Sequence, residues 1–563
     1  MSDLACKSGM SDKEKSMLFW ASFLALMACG VGFVLRSLGG NTFWGVHFEI
    51  TATQVGQLFG AGIWPIAVTM ILFSLLVDKI GYKTSMFCAF VLQTLSAILT
   101  ITASSFNMML VACLVAGLGH GIVEACINPL CASMYRDNKS KMLNILHASW
   151  PAGIVLGGVA WLTMYQGTAT DWIGASSAFW FMLAPVVAYG VMFFLCKKFP
   201  VDERVEAKVP MSDMLKEFGG LGAFIAITFL FYEIGKQSMV FGFDEVTGPV
   251  APSLLLCLAV GAVGGTIFGF AVKAKGKIMF FVLCLIMIPL ATAEIATDGW
   301  IQGLMKPTLG DLSGWALVFS AAIMMILRFF AGVPLKYMSP PALLLLSSVF
   351  SIIGLFALAE VEGNLVWPAF VFYAVGQTFY WPTVLGFVSE QFPKGGAITL
   401  NTVSAMGLLT VGIFGFSFLG AAKDNYTAKY ANELQPELVT KVKNEKMTFK
   451  NKKGQDQEIV SSADFFGYVH GSANLGELTK LMTAKEGASE DDKKKADEVI
   501  STFTSDVENK TSRSVLRVAA LLPIIMAVAF ILIIFYFKSI GGYKPVVLGA
   551  TGQGKKDDED SEA

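Results

Sequence analysis

The chain has 563 residues, of which 54% are hydrophobic and only 15% are charged, and its formal net charge is −1. Soluble proteins carry about 25% charged residues, so a soluble enzyme of this composition would expose apolar patches that drive aggregation. The near-neutral charge offers no basic surface for nucleic acid. We therefore expect the lipid bilayer to surround the protein, and we expect no nucleic-acid partner, no cofactor and no metal.

Fourteen apolar segments follow one another, each long enough to cross the roughly 30 Å of bilayer hydrocarbon as an α-helix. The predicted limits are 16–38, 56–77, 85–103, 108–133, 143–165, 175–196, 221–243, 251–273, 278–302, 314–336, 341–360, 367–390, 398–421 and 515–538. The seventh is the weakest, because Glu233 and Lys236 interrupt it. The fold class predicted is an all-α polytopic membrane protein.

Basic residues mark alternate short connections, from Lys79 and Lys83 to Lys394, whereas the opposite short loops hold essentially Lys306 alone. By the positive-inside rule, both termini are expected in the cytoplasm of a multi-pass protein of the plasma (inner) membrane. Residues 422–513 are then an extracytoplasmic cap, with a hairpin that turns at Gly454 and a helix over 493–503. Residues 539–563 form a charged cytoplasmic tail.

Two similar turns follow the second and the tenth predicted segment. The first reads Ser74-x-x-x-Asp78-Lys79-x-Gly81-Tyr82-Lys83, and the second reads Gly332-x-x-Leu335-Lys336-x-x-Ser339-Pro340. Either could be a generic basic loop, but two such turns at matching places indicate an internal repeat of six helices. The gating candidates are Asp78, Lys79, Gly81, Lys83 and Lys336.

Ionisable and amide side chains inside the apolar segments are costly, and they mark a water-lined path or a partner. His120, Glu124 and Asn128 share one face of the fourth segment through their four-residue spacing. Tyr373, Gln377 and Trp381 form an aromatic and amide stripe on the twelfth segment through the same spacing. The full set of candidate substrate-binding residues is Arg36, Glu124, Asn128, Asn144, His147, Trp150, Glu294, Asp298, Trp300, Tyr373, Gln377 and Trp381. For each of them an alternative is open: a structural interhelical hydrogen bond for the polar groups, and packing for the aromatic rings.

Amides, carboxylates and indole faces together suit a polyhydroxylated solute, which favours a sugar. A nucleoside or an organic anion fits nearly as well, and Arg36 would suit a carboxylate. Glu124 and Glu294 are the candidates for proton coupling, because a protonated carboxyl group donates a hydrogen bond and an ionised one cannot. Sodium is the alternative coupling ion.

The first turn, together with Gly119-His-Gly-Ile-Val-Glu124-Ala-Cys-Ile-Asn128-Pro129 and Leu143-Asn144-Ile-Leu-His147, resembles the major facilitator superfamily, and within it the fucose and glucose/galactose permease branch. The resemblance implies two six-helix lobes that rock about a central site. The sequence departs from that branch in the first segment, where the branch carries an acidic residue and this chain has Arg36 and no carboxylate.

The resemblance divides the chain into an amino-terminal lobe (16–196), a linker (197–220), an extra two-helix hairpin (221–273) and a carboxy-terminal lobe (278–538). We expect a monomeric secondary transporter, coupled to protons. The rivals are an intramembrane enzyme that uses His147, Glu124 and Asp298 as acid and base, and a transporter-like sensor. The chain has no G-x-x-x-x-G-K-[ST] pattern, so the sequence does not indicate a self-contained ATP-driven pump.

Overall fold

The computed structural model describes residues 10–39, 44, 48, 52–164, 178–201, 203–206, 208–237, 243–244, 248–249, 252–450, 456–465, 468–483 and 490–547. Some predicted features lie outside the described residues: the side chains of Asp78 and Glu233, residues 175–177 of the sixth segment, residues 238–242 of the seventh, the turn at Gly454 and the charged end of the tail from residue 548 onward.

Helices account for most of the described chain. The first eleven are α1 (Asp12–Gly39), α2 (Ala52–Ile80), α3 (Tyr82–Thr102), α4 (Phe106–Met134), α5 (Lys139–His147), α6 (Ser149–Met164), α7 (Leu183–Leu195), α8 (Glu203–Glu206), α9 (Met211–Gln237), α10 (Leu254–Val272) and α11 (Ile278–Ala291). The others are α12 (Thr297–Leu309), α13 (Ser313–Phe329), α14 (Gly332–Tyr337), α15 (Pro340–Glu360), α16 (Val366–Thr378), α17 (Tyr380–Gln391), α18 (Gly396–Thr410), α19 (Phe416–Leu434), α20 (Pro436–Asn444), α21 (Leu475–Lys480), α22 (Glu490–Ala519) and α23 (Leu521–Ser539).

Within the described residues, 11 helices are long and apolar enough to cross a membrane. The other three predicted segments are also helical, but they are shorter or interrupted. The tenth is α13, the twelfth is divided between α16 and α17 at Phe379, and the thirteenth contains a π-helical turn, Val411–Gly415, between α18 and α19. The prediction of an all-α polytopic membrane protein is confirmed.

The amino-terminal half, residues 12–195, is built by α1 packing against α6 and α7, and by α2 and α3 packing against α4. The helix starts follow local chemistry: the Ser105 hydroxyl accepts from the backbone N–H of Met108 and so caps α4. In the carboxy-terminal half, residues 278–539, α15 packs against α16 and α23, and α13 against α16. The two halves meet through α5 with α17, α6 with α13, and α2 with α18.

The extra hairpin is formed by α9 and α10, which pack closely against each other. A side chain at Gly261 would place its Cβ 1.9 Å from the Thr228 hydroxyl, so only glycine allows this approach. Leu255 and Phe270, on the outward face of α10, are each 80% exposed, as expected for contact with lipid. Helix α9, which corresponds to the seventh predicted segment, begins at Met211, ten residues before the predicted start, and it has a non-helical residue at Gly219. The predicted linker is therefore partly helical.

The described residues of the predicted cap, 422–450, 456–465, 468–483 and 490–513, are folded and pack on the carboxy-terminal half. Within the cap, β3 (Thr448–Lys450) pairs antiparallel with β4 (Asp456–Glu458), as the predicted hairpin requires, and β5 (Val460–Phe465) pairs with β6 (Tyr468–Ala473). A further short pair, β1 (Phe243–Asp244) with β2 (Gly248–Pro249), lies in the connection between α9 and α10. The core of the cap consists of Ala431, Val439, Val442, Ile459, Leu478, Phe503 and Val507.

Two long helices join this cap to the membrane-spanning part. Helix α19 continues from the thirteenth segment to Leu434, and α22 begins in the cap and ends at Ala519, directly before α23. The Tyr430 hydroxyl lies 2.7 Å from the Ser514 hydroxyl, which ties the two helices together. The predicted helix over 493–503 is part of α22.

Candidate functional site

The predicted polar face of α4 is present and buried between helices. Asn128 Nδ2 donates to Glu124 Oε2 at 2.8 Å, and His120 Nε2 lies 3.8 Å from Glu124 Oε1. His147, at the end of α5, places Nε2 2.9 Å from Asn128 Oδ1. The Trp150 ring stacks on the His120 ring with 5.2 Å between centroids. Four of the predicted substrate-binding residues, together with His120, therefore form one cluster in the amino-terminal half.

A second cluster lies in the carboxy-terminal half around Asp298. Its Oδ1 accepts from the Tyr373 hydroxyl at 2.8 Å and from Gln377 Nε2 at 3.1 Å. The same Gln377 amide donates to the Ser320 hydroxyl at 2.8 Å. Glu294 lies one turn before Asp298, on a π-helical turn, Thr292–Ala296, a feature often found at functional sites. Tyr373 and Gln377 lie on one helical face, as predicted, and both donate to the carboxylate of Asp298.

The link between the two clusters is Arg328, which the sequence reasoning did not single out. Its side chain is buried, and NH2 donates to Glu294 Oε1 at 2.8 Å. NH1 donates to the backbone carbonyl of His147 at 2.9 Å, and Nε donates to that of Thr378 at 2.6 Å. One guanidinium therefore connects α13 with α5 of the other half, with α16 and with the π-helical turn. We call these two clusters and Arg328 the central network.

Arg36 is placed apart from the central network by its own hydrogen bonds. Its NH2 group donates to the Ser96 hydroxyl at 2.6 Å and to the Thr100 hydroxyl at 3.2 Å, both on α3. NH1 donates to the carbonyl of Gly32. These partners are neutral groups of the amino-terminal half, which fits a structural role better than recognition of a carboxylate.

The two remaining predicted tryptophans also have packing partners. Trp300 Nε1 donates to the carbonyl of Phe416 at 3.2 Å, and its ring faces Lys423 Nζ at 5.4 Å. The helix that carries Tyr373 and Gln377 ends at Thr378, and a new helix begins at Tyr380. Trp381 therefore does not share a helical face with the other two residues of the expected stripe. The Trp381 ring instead occupies the space beside Gly407, where a Cβ would approach it to 2.5 Å.

Two asparagines join the halves at corresponding places in the repeat. Asn144 Nδ2, on α5, donates to the Thr383 hydroxyl on α17 at 3.1 Å. Asn401 Nδ2, on α18, donates to the carbonyl of Ala125 on α4 at 3.1 Å. Each asparagine follows a leucine and reaches into the opposite half, which is what an internal repeat of six helices produces. Asn144, predicted to bind substrate, thus lies in the contact between the halves.

A further contact lies nearer the basic turns. The Ser140 hydroxyl donates to Glu390 Oε1, and the Ser140 backbone N–H donates to the same oxygen at 3.3 Å. Lys139 Nζ donates to the carbonyl of Ser389 at 3.3 Å. Beside these bonds is a crevice of about 30 Å³ lined partly by Ser133 and Lys139, which is room for one water molecule. The halves are therefore closed against each other on this side.

The first basic turn makes its contacts within the amino-terminal half. Lys83 Nζ donates to the carbonyls of Phe194 at 3.1 Å and Cys196 at 3.2 Å, so it holds the end of α7 within its own half. Gly81 has a φ of 81°, which explains the need for glycine in this turn. Lys79 is exposed. The described hydrogen bonds of Lys83, a gating candidate, thus lie within the amino-terminal half, and its role in gating stays a prediction.

The second turn does reach the other half. Gly332 leaves room for the Lys141 side chain, whose Cδ would lie 2.8 Å from a Cβ at that position. Lys336 itself is exposed, and its Nζ lies 5.7 Å from the Tyr337 ring centroid. Among the described residues, no group of three or more His, Cys, Asp or Glu side chains is arranged to hold a metal ion.

The amino-acid sequence matches a known family and several curated proteins. The family model described as Major Facilitator Superfamily matches residues 16–421. Synaptic vesicular amine transporters are 23% identical in the rat and 24% in the human protein over 275 residues, which is 46% of this chain and 51% of each relative. The chain thus aligns with about half the length of these curated relatives.

Among solved structures, the proton:xylose symporter XylE bound to 6-bromo-6-deoxy-D-glucose has a TM-score of 0.52 and 12% sequence identity, covering 73% of this chain and 89% of that one. The fucose:proton symporter FucP of E. coli has a TM-score of 0.48 and 13% identity, covering 72% and 90%. At 12% identity, the first of these similarities shows the fold alone. With its family model matched over most of its length, the chain belongs to the major facilitator superfamily, whose members are membrane transporters and not enzymes.

Proposed function

We propose that this transporter moves a small polar solute, a sugar in the first place, by alternating access coupled to protons. The observation that carries the proposal is the central network, in which buried ionisable groups of both halves are joined through Arg328. Because such groups are costly inside a membrane protein, they are retained where charge or solute passes. The proposed setting is the plasma membrane, with a monomeric protein and both termini in the cytoplasm.

Proton coupling is supported by the charges of the network. It contains three carboxylates, those of Glu124, Glu294 and Asp298, and the guanidinium of Arg328. Its two histidines, His120 and His147, are charged only when protonated. Buried charges that are not paired are strongly destabilising, so the surplus must be neutralised by protons or by a cation. Glu124 and Asp298 both lie outside the ion pair between Arg328 and Glu294, so either can gain and lose a proton without breaking that pair. We take Glu124 first, because His120 beside it can also carry a proton.

A sugar is supported by the kinds of side chain present. Asn128, Gln377 and Tyr373 offer donors and acceptors for hydroxyl groups, and in the closed structure they bind one another or nearby residues. A polyhydroxylated solute can replace such bonds one for one when the halves separate. The half-buried ring of Trp150, stacked on His120, provides a flat apolar surface for the C–H face of a sugar ring.

A second candidate is a protonated amine, and the same surplus of carboxylates favours it. An ammonium group could occupy the place of a proton beside Glu124, so amine and proton would compete instead of binding together. The relatives named vesicular amine transporters support this alternative. A nucleoside and an organic anion are further alternatives, as is sodium for the coupling ion, and no contact in the described residues favours a sensor.

The test is counterflow in liposomes that contain the purified protein, with panels of sugars, amines, nucleosides and organic acids. A pH difference is then imposed across the membrane. A sugar coupled to protons enters faster when the outside is acidic, whereas an amine exchanged for protons enters faster when the inside is acidic. Transport that does not respond to the pH difference in either direction, or that needs sodium, would refute proton coupling.

A further inference from the structure

Arg328 donates to two backbone carbonyls that share an unusual position. The chain reads His147-Ala-Ser-Trp150-Pro151 in one half and Thr378-Phe-Tyr-Trp381-Pro382 in the other. Each carbonyl that accepts from Arg328 lies four residues before a proline. In a continuous helix that carbonyl would accept from the N–H four residues later, which proline does not have.

Both helices are interrupted at these places. Helix α5 ends at His147 and α6 begins at Ser149, while α16 ends at Thr378 and α17 begins at Tyr380. A buried carbonyl without a donor costs free energy comparable to a lost hydrogen bond. Arg328 supplies the missing donor to both carbonyls, and its charge is balanced by Glu294.

The two bonds differ in what they connect. The bond from Nε to Thr378 remains within the carboxy-terminal half, whereas the bond from NH1 to His147 crosses between the halves. Separation of the halves must break the second bond and can leave the first intact. The carbonyl of His147 then needs water or a donor group of the entering solute.

We infer that Arg328 is a positioning residue for transport, which holds the two halves together at the centre of the molecule by donating to the carbonyl that Pro151 leaves without a partner. Its release from His147 is then a step of every transport cycle. The matching bond to Thr378 and the ion pair with Glu294 keep the guanidinium in place in its own half while that step occurs.

The test uses the two prolines as a matched pair. Pro151→Ala provides a backbone N–H for the His147 carbonyl, so Arg328 is no longer needed there. Pro382→Ala does the same for the Thr378 carbonyl, and it straightens a helix to a similar extent without affecting the bond between the halves. Arg328→Lys keeps the charge but loses the fork that reaches several acceptors at once.

Separation of the halves is measured by the distances between nitroxide labels, which need no solute. One label pair, at Ser104 and Asn364, lies on the face opposite the basic turns, and a second pair, at Lys79 and Lys336, lies on the basic face; all four residues are exposed. The labels are attached through a ketone-bearing amino acid, because Cys88 is an exposed native cysteine.

We expect Pro151→Ala to raise the population with separated halves by tenfold or more, on the order of one hydrogen bond from a charged group, while Pro382→Ala leaves it unchanged. Arg328→Lys should resemble Pro151→Ala, and the double variant should not exceed either. The inference is overturned if the two proline variants behave alike, if the effects of Arg328→Lys and Pro151→Ala add, or if no label pair responds to Pro151→Ala. Should Arg328→Lys fail to fold, the comparison of the two proline variants decides alone.

Discussion

Replacing Glu124 by glutamine tests the coupling of solute to protons. Glutamine has nearly the same shape and retains an oxygen that can accept the 2.8 Å bond from Asn128, so the hydrogen bond within the network can persist. What the variant loses is the ability to gain and release a proton. We expect it to exchange solute between equal concentrations while losing one coupled proton from each cycle.

The size of the effect follows from the proton's contribution. Each coupled proton supplies about 1.4 kcal/mol per pH unit, which corresponds to a factor of about ten in the ratio of solute concentrations. With the membrane potential held at zero and a difference of one pH unit, Glu124→Gln should lower the steady-state accumulation ratio about tenfold. The solute is whichever compound gives counterflow in the screen described above.

The control is Glu360→Gln, because Glu360 is exposed and forms its ion pair with Arg517 at the edge of the protein. It should accumulate solute as the unmodified protein does. The reasoning about Glu124 is refuted if the glutamine variant still reaches the full accumulation ratio. Loss of exchange as well as accumulation would show that Glu124 is needed for solute binding and not for coupling alone.

Three further predictions concern topology, closure and packing. A cysteine introduced at Gly471 in the cap should react with an impermeant maleimide from outside the cell, and labelling only after permeabilisation would contradict the fourteen-helix topology. Ser140→Ala removes the hydroxyl bond to Glu390 but keeps the bond from the Ser140 backbone N–H. It should raise the rate at which a label reaches the interface on the basic side by a few-fold, as expected for the loss of one hydrogen bond. An unchanged rate would show that this contact does not control closure. Gly261→Leu would force a side chain onto Thr228 and should lower the apparent melting temperature of the purified protein by several degrees, whereas an unchanged value would mean that α9 and α10 can move apart freely.

The helices could be predicted because hydrophobic length is a direct consequence of bilayer thickness. The face of His120, Glu124 and Asn128 could also be predicted, since a spacing of four residues places side chains on one side of a helix whatever surrounds it. The predicted stripe of Tyr373, Gln377 and Trp381 was wrong for Trp381, because the spacing argument holds only within one continuous helix. A break at Phe379 changes the direction of the following residues, and Pro382 was the sequence signal for it.

Arg328 was missed although a charge within a predicted segment is a strong signal. It lies near the end of α13, where an arginine can extend to the membrane surface, so the sequence alone does not distinguish that role from an inward one. Only the packing of α13 against α6 and α16 turns it toward Glu294. Similarly, the contacts of Asn144 with Thr383 join residues 239 positions apart, and no local pattern encodes them.

The continuous helix α22 has a practical consequence for imaging. Because α22 leads from the cap directly into α23, and Arg513 and Arg517 pair with Glu362 and Glu360 at the end of α15, the cap is fixed to one half of the molecule. A transporter embedded in a detergent micelle usually lacks features that allow single particles to be aligned. Here the cap is a built-in fiducial, and an antibody fragment bound to it would report the orientation of the carboxy-terminal half in every state of the cycle.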